Sequence, residues 1–144
     1  MSRVVAVVSH PGAVEALADL AAEHDLTVIV PGDVAPGTMP HTYPAAVPVR
    51  APVAARIVSA AQRSAIGRNL VRISPLDQSR RLWRAVRDDP RIADLIRSAD
   101  IVVAADRDAV FTVWKMTRTR RFDGPWAAVF GVAAARYAAA RSAT

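Results

Sequence analysis

The sequence predicts an α/β fold: a doubly wound, mostly parallel sheet of about five strands with helices on both faces. Three observations carry it. Short β-branched runs such as RVVAVV and IVVAA are almost wholly apolar, as strands covered on both faces are. Amphipathic segments of helical period stand between them. Turn signals, His-Pro-Gly after the first run and Asp-Arg-Asp after a later one, separate strand from helix.

Each element follows from its residues. Arg3 to Val8 is a central strand, and Ser9 to Gly12 is a turn. Ala13 to His24 reads as one helix: Val14, Leu17, Leu20 and Ala21 share a stripe, with Glu15, Asp19 and Glu23 off it. Thr27 to Val30 is the second strand, which Pro31 and Gly32 end. Strand, helix, strand makes a right-handed βαβ unit with its strands parallel. The segment from 31 to 52 is rich in proline, with Pro31, Pro36, Pro40, Pro44, Pro48 and Pro52. Within it Ala46 to Val49 is the candidate third strand, at an edge because Pro48 lacks an N–H for a ladder. Val53 to Asn69 reads as a helix with Ile57, Ala61 and Ile66 inward and Gly67 at its end. Ser74, Pro75 and Asp77 mark the next helix start, with Ser74 as the N-cap. That helix carries Leu76, Leu82, Trp83 and Val86 and stops at Asp88. Asp89 caps a short helix with Ile92, Leu95 and Ile96 on one face. Ile101 to Ala105 is a buried strand, and Asp106 caps a helix carrying Val110, Val113, Trp114 and Thr117. After the turn Asp123-Gly124-Pro125, Trp126 to Phe130 is the last strand and Val132 to Ala143 an alanine-rich closing helix. The strand order expected is 3-2-1-4-5 in one Rossmann-like domain spanning 1–144.

Composition narrows the chemistry. The 144 residues, 52% hydrophobic, are enough to bury a core without staples. There is no cysteine, which excludes disulfides, thiolate nucleophiles and Cys-based metal sites, and fits the cytoplasm. The apolar run Val4 to Val8 is too short for the core of a signal peptide or for a membrane span. The formal charge of +6 is uneven: residues 50–97 carry eleven Arg against four Asp. A GC-rich coding bias explains such arginine; a basic face for phosphate, nucleic acid or anionic lipid is the sharper alternative.

In the expected order the chain reverses between strands 1 and 4, and ligands of open α/β sheets bind beyond the carboxyl ends of such strands. Ser9, His10 and Gly12 face Asp106, Arg107 and Asp108 there. A histidine backed by a carboxylate can act as a general base on a hydroxyl, so His10 and Asp106 are the candidate catalytic pair. Ser9, Gly12, Arg107 and Asp108 are the candidate ligand contacts, with Gly12 opening a helix whose N–H groups suit a phosphate or carboxylate. The plain alternative is that Asp106 is a cap, Asp108 a first-turn acid and His10 a solvated loop residue.

Several motifs are absent. HPGAVEA holds one glycine, not the dinucleotide fingerprint, and Asp33 is the only acid placed for a ribose. No P-loop is present. No cofactor and no metal are expected. VVAVVSHP resembles the start of the zinc-dependent PIG-L-type deacetylases, but Gly12 and Ala13 stand at that family's two aspartate positions. His24 and His41 do not form its distal pair either, and a zinc site needs about three protein ligands.

VEALADLAAEHDLTVIVPG, then SADIVVAADRDAVFTVWKM followed by GPWAAVFG, resemble the N-terminal half of GT-B-fold glycosyltransferases, with their first helix, second strand and DIVHAHD strand. The resemblance covers about two-thirds of the chain in order and spacing. It implies that His10, supported by Asp106, activates an acceptor hydroxyl. The second domain of that family, which binds the nucleotide-sugar, has no counterpart in these residues, so the implied activity needs a donor-domain partner. The rival reading is a non-catalytic, self-associating module, a homodimer through its basic helices or closing helix. Two basic aromatic clusters bear on it: Arg80, Arg81, Trp83, Arg84 and Arg87, then Trp114, Lys115, Arg118, Arg120, Arg121 and Phe122. Peripheral membrane contact is the functional reading of these clusters. Nucleic-acid binding is weaker, since no recognised motif accompanies the charge.

Overall fold

The computed structural model describes residues 1–32, 41–48 and 50–142. Five strands, β1 (Arg3–Val7), β2 (Asp25–Pro31), β3 (Thr42–Ala45), β4 (Ile101–Ala104) and β5 (Ala127–Phe130), form a sheet in the order β3-β2-β1-β4-β5. Every pairing is parallel. The doubly wound α/β arrangement expected from the sequence is the one observed.

Alternation along each strand divides the core in two. Val5, Val7, Ile29, Val102 and Ala104 point to one face. There they meet Leu82 and Val86 of α5 (Gln78–Asp88), Ile92 and Ile96 of α6 (Pro90–Arg97), and Val113 and Met116 of α7 (Arg107–Met116). Val4, Ala6, Val28, Val30, Ile101 and Val103 point to the other. They meet Ala13 of α1 (Gly12–Glu15), Leu20 of α2 (Ala18–Glu23), the intervening Leu17, and Ala135 and Ala139 of α8 (Val132–Ser142). Full burial of each such large side chain contributes about 1.5–3 kcal/mol.

Side-chain caps set the starts of α5, α6 and α7. Asp77 Oδ2 accepts from the N–H groups of Ser79 and Arg80 at 3.0 and 3.4 Å, so Asp77, not Ser74, caps α5. Ser74 instead closes the preceding helix, its hydroxyl donating to Val71 O at 2.7 Å. Asp89 and Asp106 cap α6 and α7 as expected.

Four expectations are corrected. The helix expected over Ala13 to His24 is interrupted at Ala16 and Leu17, giving α1 and α2, while its apolar stripe still faces the sheet. The third strand lies upstream of Ala46 to Val49: β3 is Thr42–Ala45, with Val28 to Pro31 paired to Thr42 to Ala45. Pro44 is tolerated because β3 is the edge, so its missing N–H leaves no ladder partner unserved. The helix expected over Val53 to Asn69 is two, α3 (Pro52–Ala61) and α4 (Ala65–Ile73). Ser64 breaks them apart by capping α4, its Oγ accepting from Gly67 N at 2.9 Å. Gly67 is thus in the first turn of a helix rather than at the end of one. A Cβ there would stand 2.0 Å from Ala61 O, so only glycine permits the close turn. Finally, Ile57 and Ile66 do not face inward. They are 56% and 75% exposed, and Val58 is the residue that α3 buries.

Asp33, Pro36, Pro40, Val49 and Ala143 lie outside the described residues. Among the described residues, no helix is long and apolar enough to cross a membrane.

Candidate functional site

Strand register brings the two turns together. Val7 pairs with Ala104, so two residues further on Ser9 stands opposite Asp106. Both backbone and side chain of Ser9 use that position. Ser9 N donates to Asp106 Oδ2 at 2.6 Å, and its hydroxyl donates to Asp106 Oδ1 at 2.7 Å. Asp106 Oδ1 also accepts from Ala109 N at 2.9 Å, which is the cap of α7. Asp106 is therefore a buried carboxylate with three donors, and it ties the carboxyl end of β1 to that of β4.

His10 completes the cluster. Its Nδ1 lies 2.9 Å from Ser9 Oγ and 3.4 Å from Asp106 Oδ2, while the ring is largely open to solvent. Because the Ser9 proton is directed at Asp106, Nδ1 must be the donor toward Ser9 Oγ. The network thus assigns the neutral ring its Nδ1-protonated tautomer and leaves Nε2 as an outward acceptor. That is the arrangement a general base needs: one nitrogen held by the protein, the other presented to a ligand.

The remaining candidates fall around this cluster. Ser9 itself is buried, and its polar groups serve Asp106. Gly12 is exposed and opens α1, a helix of only four residues. Ala13 N and Val14 N already donate within the turn, to His10 O and Pro11 O at 3.2 and 3.0 Å, which leaves few donors for an anion. Arg107 is exposed. Asp108 is partly buried, and its carboxyl is raised above the usual range, first by desolvation and then by the like charges of Asp77 and Asp106; His10 and Arg107 offset this in part.

Asp108 also opens onto a region that sequence reasoning did not single out. Two adjoining hollows of about 370 and 230 Å³ share Arg72, Asp77 and Asp108 as walls. Arg50 and Arg68 line the first, Arg80 and Arg107 the second. The surplus of arginine over acid between residues 50 and 97 was the available signal, but spacing does not reveal that the end of α4 and the starts of α5 and α7 converge.

A larger hollow, about 840 Å³, lies at the β3 edge, lined by Tyr43, Leu76, Arg84, Asp89 and Arg91 among others, with Arg50 as a wall shared with the first of the two smaller ones. Tyr43 donates to Asp89 Oδ2 there at 2.9 Å, and burial together with that carboxylate pushes its phenol up. None of the six candidate residues lines it, so size alone does not mark the site.

The two basic aromatic clusters form one surface across α5 and α7. Arg118 lies 4.9 Å from the Trp114 ring centroid, and Arg80 lies 5.9 Å from that of Phe111. Phe122 belongs to the interior instead: it is fully buried, its ring centroid 5.8 Å from that of the partly buried Trp83. Among the described residues, no group of three or more His, Asp or Glu could hold a metal ion.

Strand order and the two helical layers define a Rossmann-like α/β protein. No family model, no curated protein and no solved structure matches this chain.

Proposed function

We propose that this protein binds a small polar or phosphorylated ligand in the crevice beyond β1 and β4, with His10 as general base on a ligand hydroxyl. The single observation that carries the reading is the His10–Ser9–Asp106 cluster, with Nδ1 of His10 3.4 Å from a buried carboxylate oxygen. In this reading Nε2 takes the hydroxyl proton as the oxygen attacks an electrophilic carbon of the donor held by the partner, and the bond from that carbon to the donor's leaving group breaks. Asp106 holds the ring in place and balances the imidazolium that forms. Such a base contributes about 10²–10⁴-fold to rate.

The transfer that fits best is glycosyl transfer, with this chain as the acceptor-side half and a donor-binding domain supplied by a partner. The strand order, the position of the histidine after β1 and the resemblance of the β4–α7 segment support it. In the reconstituted pair, His10→Ala should lower transfer by about 10²-fold or more while the chain stays folded. Transfer at the wild-type rate would refute the catalytic role.

One observation favours a second, non-catalytic reading. Val53, Ile57, Ile66, Leu70 and Ile73 on α3 and α4 are between 56% and 75% exposed, an apolar surface large for a solvated hairpin. A self-associating module would use this face rather than α8, which turns Ala135 and Ala139 onto the sheet. Sedimentation of wild type and Leu70→Asp separates the readings: the module must be a dimer that the substitution dissociates.

A further inference from the structure

The helix α4 is oriented against its own amphipathicity. Ile66, Leu70 and Ile73 point to solvent, while Arg68 and Arg72 line the hollow between α4, α5 and α7. A surface helix ordinarily buries its apolar stripe and solvates its charges. Here the apolar stripe is solvated, and the two arginines, themselves exposed, border the hollow, where they gather with others. Among the described residues, neither Arg68, Arg72, Arg80 nor Arg107 has a carboxylate oxygen within 4.0 Å. Arg68 donates only to a carbonyl, that of Gln62 at 3.2 Å. Arg50, which lines both this hollow and the larger one beside β3, has a buried Nε with no hydrogen-bond partner, although its Nη2 donates to Leu76 O at 2.8 Å. Two carboxylates, Asp77 and Asp108, face these cations, and Asp77 is already engaged as the cap of α5.

Concentrated, unpaired guanidinium groups repel one another unless an anion joins them, and a guanidinium fork matches a phosphate in geometry as well as charge. We propose that this cleft binds the phosphate group of a small polyhydroxy phosphate ester, with Arg68, Arg72 and Arg107 as phosphate ligands and Asp77 and Asp108 accepting from its hydroxyls. The inference names the ligand class for the crevice proposed above and rests on that reading for its link to His10. Asp108 supplies the continuity: it lines both hollows and lies in the first turn of α7, two residues after Asp106.

The test is calorimetric titration of the purified chain at fixed ionic strength with inorganic phosphate, a hexose 6-phosphate and the unphosphorylated hexose. Both phosphates bind, the ester more tightly, and the free hexose does not. Arg72→Gln weakens binding about tenfold or more, the loss expected for a charge-assisted bidentate contact. Arg63→Gln, an equal change of charge on an exposed residue outside the cleft, leaves it unaltered. No phosphate binding, or equal losses in the two variants, overturns the site. Ester and inorganic phosphate of equal affinity overturn the role of the two aspartates. Inorganic phosphate has no alcohol for His10 to activate, so its binding stands apart from the catalytic reading. That reading fails separately, if phosphate binds but transfer is indifferent to His10.

Discussion

Asp106 has two duties that a sequence cannot tell apart. As a cap it satisfies Ala109 N, and as a clamp it takes both polar hydrogens of Ser9. Losing a cap costs about 1 kcal/mol, and leaving buried donors unpaired adds about 1–3 kcal/mol. Asp106→Ala should therefore lower unfolding free energy by about 2–4 kcal/mol in chemical denaturation. His10→Ala, at an exposed ring, should cost less than about 0.5 kcal/mol. Equal losses would mean that His10 is part of the clamp rather than presented by it. Asp108 gives a pH dependence of known sign. Its folded-state pKa is raised from the ordinary 3.8, so the folded chain holds that proton more tightly than the unfolded chain does. Ionisation thus costs stability as pH climbs through the raised value, and this outweighs the favourable field at the start of α7. Asp108→Asn should raise the melting temperature at pH 7, with the gain fading as pH falls toward 3.8 and below, where the wild-type side chain is protonated in both states.

At the scale of elements, the α3–α4 hairpin is the least secured part of the described fold. It buries Val58 and Gly67 and little else, and its tight turn depends on the absence of one Cβ. Gly67→Ala must push against Ala61 O, backbone rather than a flexible side chain. It should destabilise by about 2 kcal/mol or more, or unfold the hairpin locally. Hydrogen exchange would register this as lost protection over 52–73, with β1 and β4 unchanged. The same hairpin carries Arg68 and Arg72, so the loss should extend to phosphate binding. The hairpin also shows where periodicity misleads. Ile57 and Ile66 look like core residues because isoleucine usually is, yet the pattern of a helix does not say whether anything covers its apolar side. Ser64, three residues before Gly67, was the sequence signal for two helices, and a seventeen-residue reading passed over it.

For the whole molecule, sheet order was legible because the buried strands are rich in β-branched residues, and β1 and β4 each run through a short turn into a helix. Val4 to Val7 and Ile101 to Ala104 are buried throughout, as central strands covered by helices on both faces are. β3 was not legible: Thr42 to Ala45 contains a proline and buries only Ala45, so it lacks the apolar signature of its neighbours. The site was half legible. Topology placed His10 near Asp106, and register refined this by setting Ser9 directly opposite. The arginine cleft was hidden because its members come from three helices whose convergence is a tertiary fact. The candidate site therefore lies at the carboxyl end of the sheet and not in the larger hollow beside β3.

The most direct measurement is a nuclear magnetic resonance titration of the isotope-labelled chain with a hexose 6-phosphate. The account expects the largest shifts at His10, Asp106 to Asp108 and the Arg72 and Asp77 amides, with His10 starting as the Nδ1-protonated tautomer. Shifts confined to Tyr43, Asp89 and Arg91 around the β3-edge hollow, or no saturable shifts at all, would contradict it.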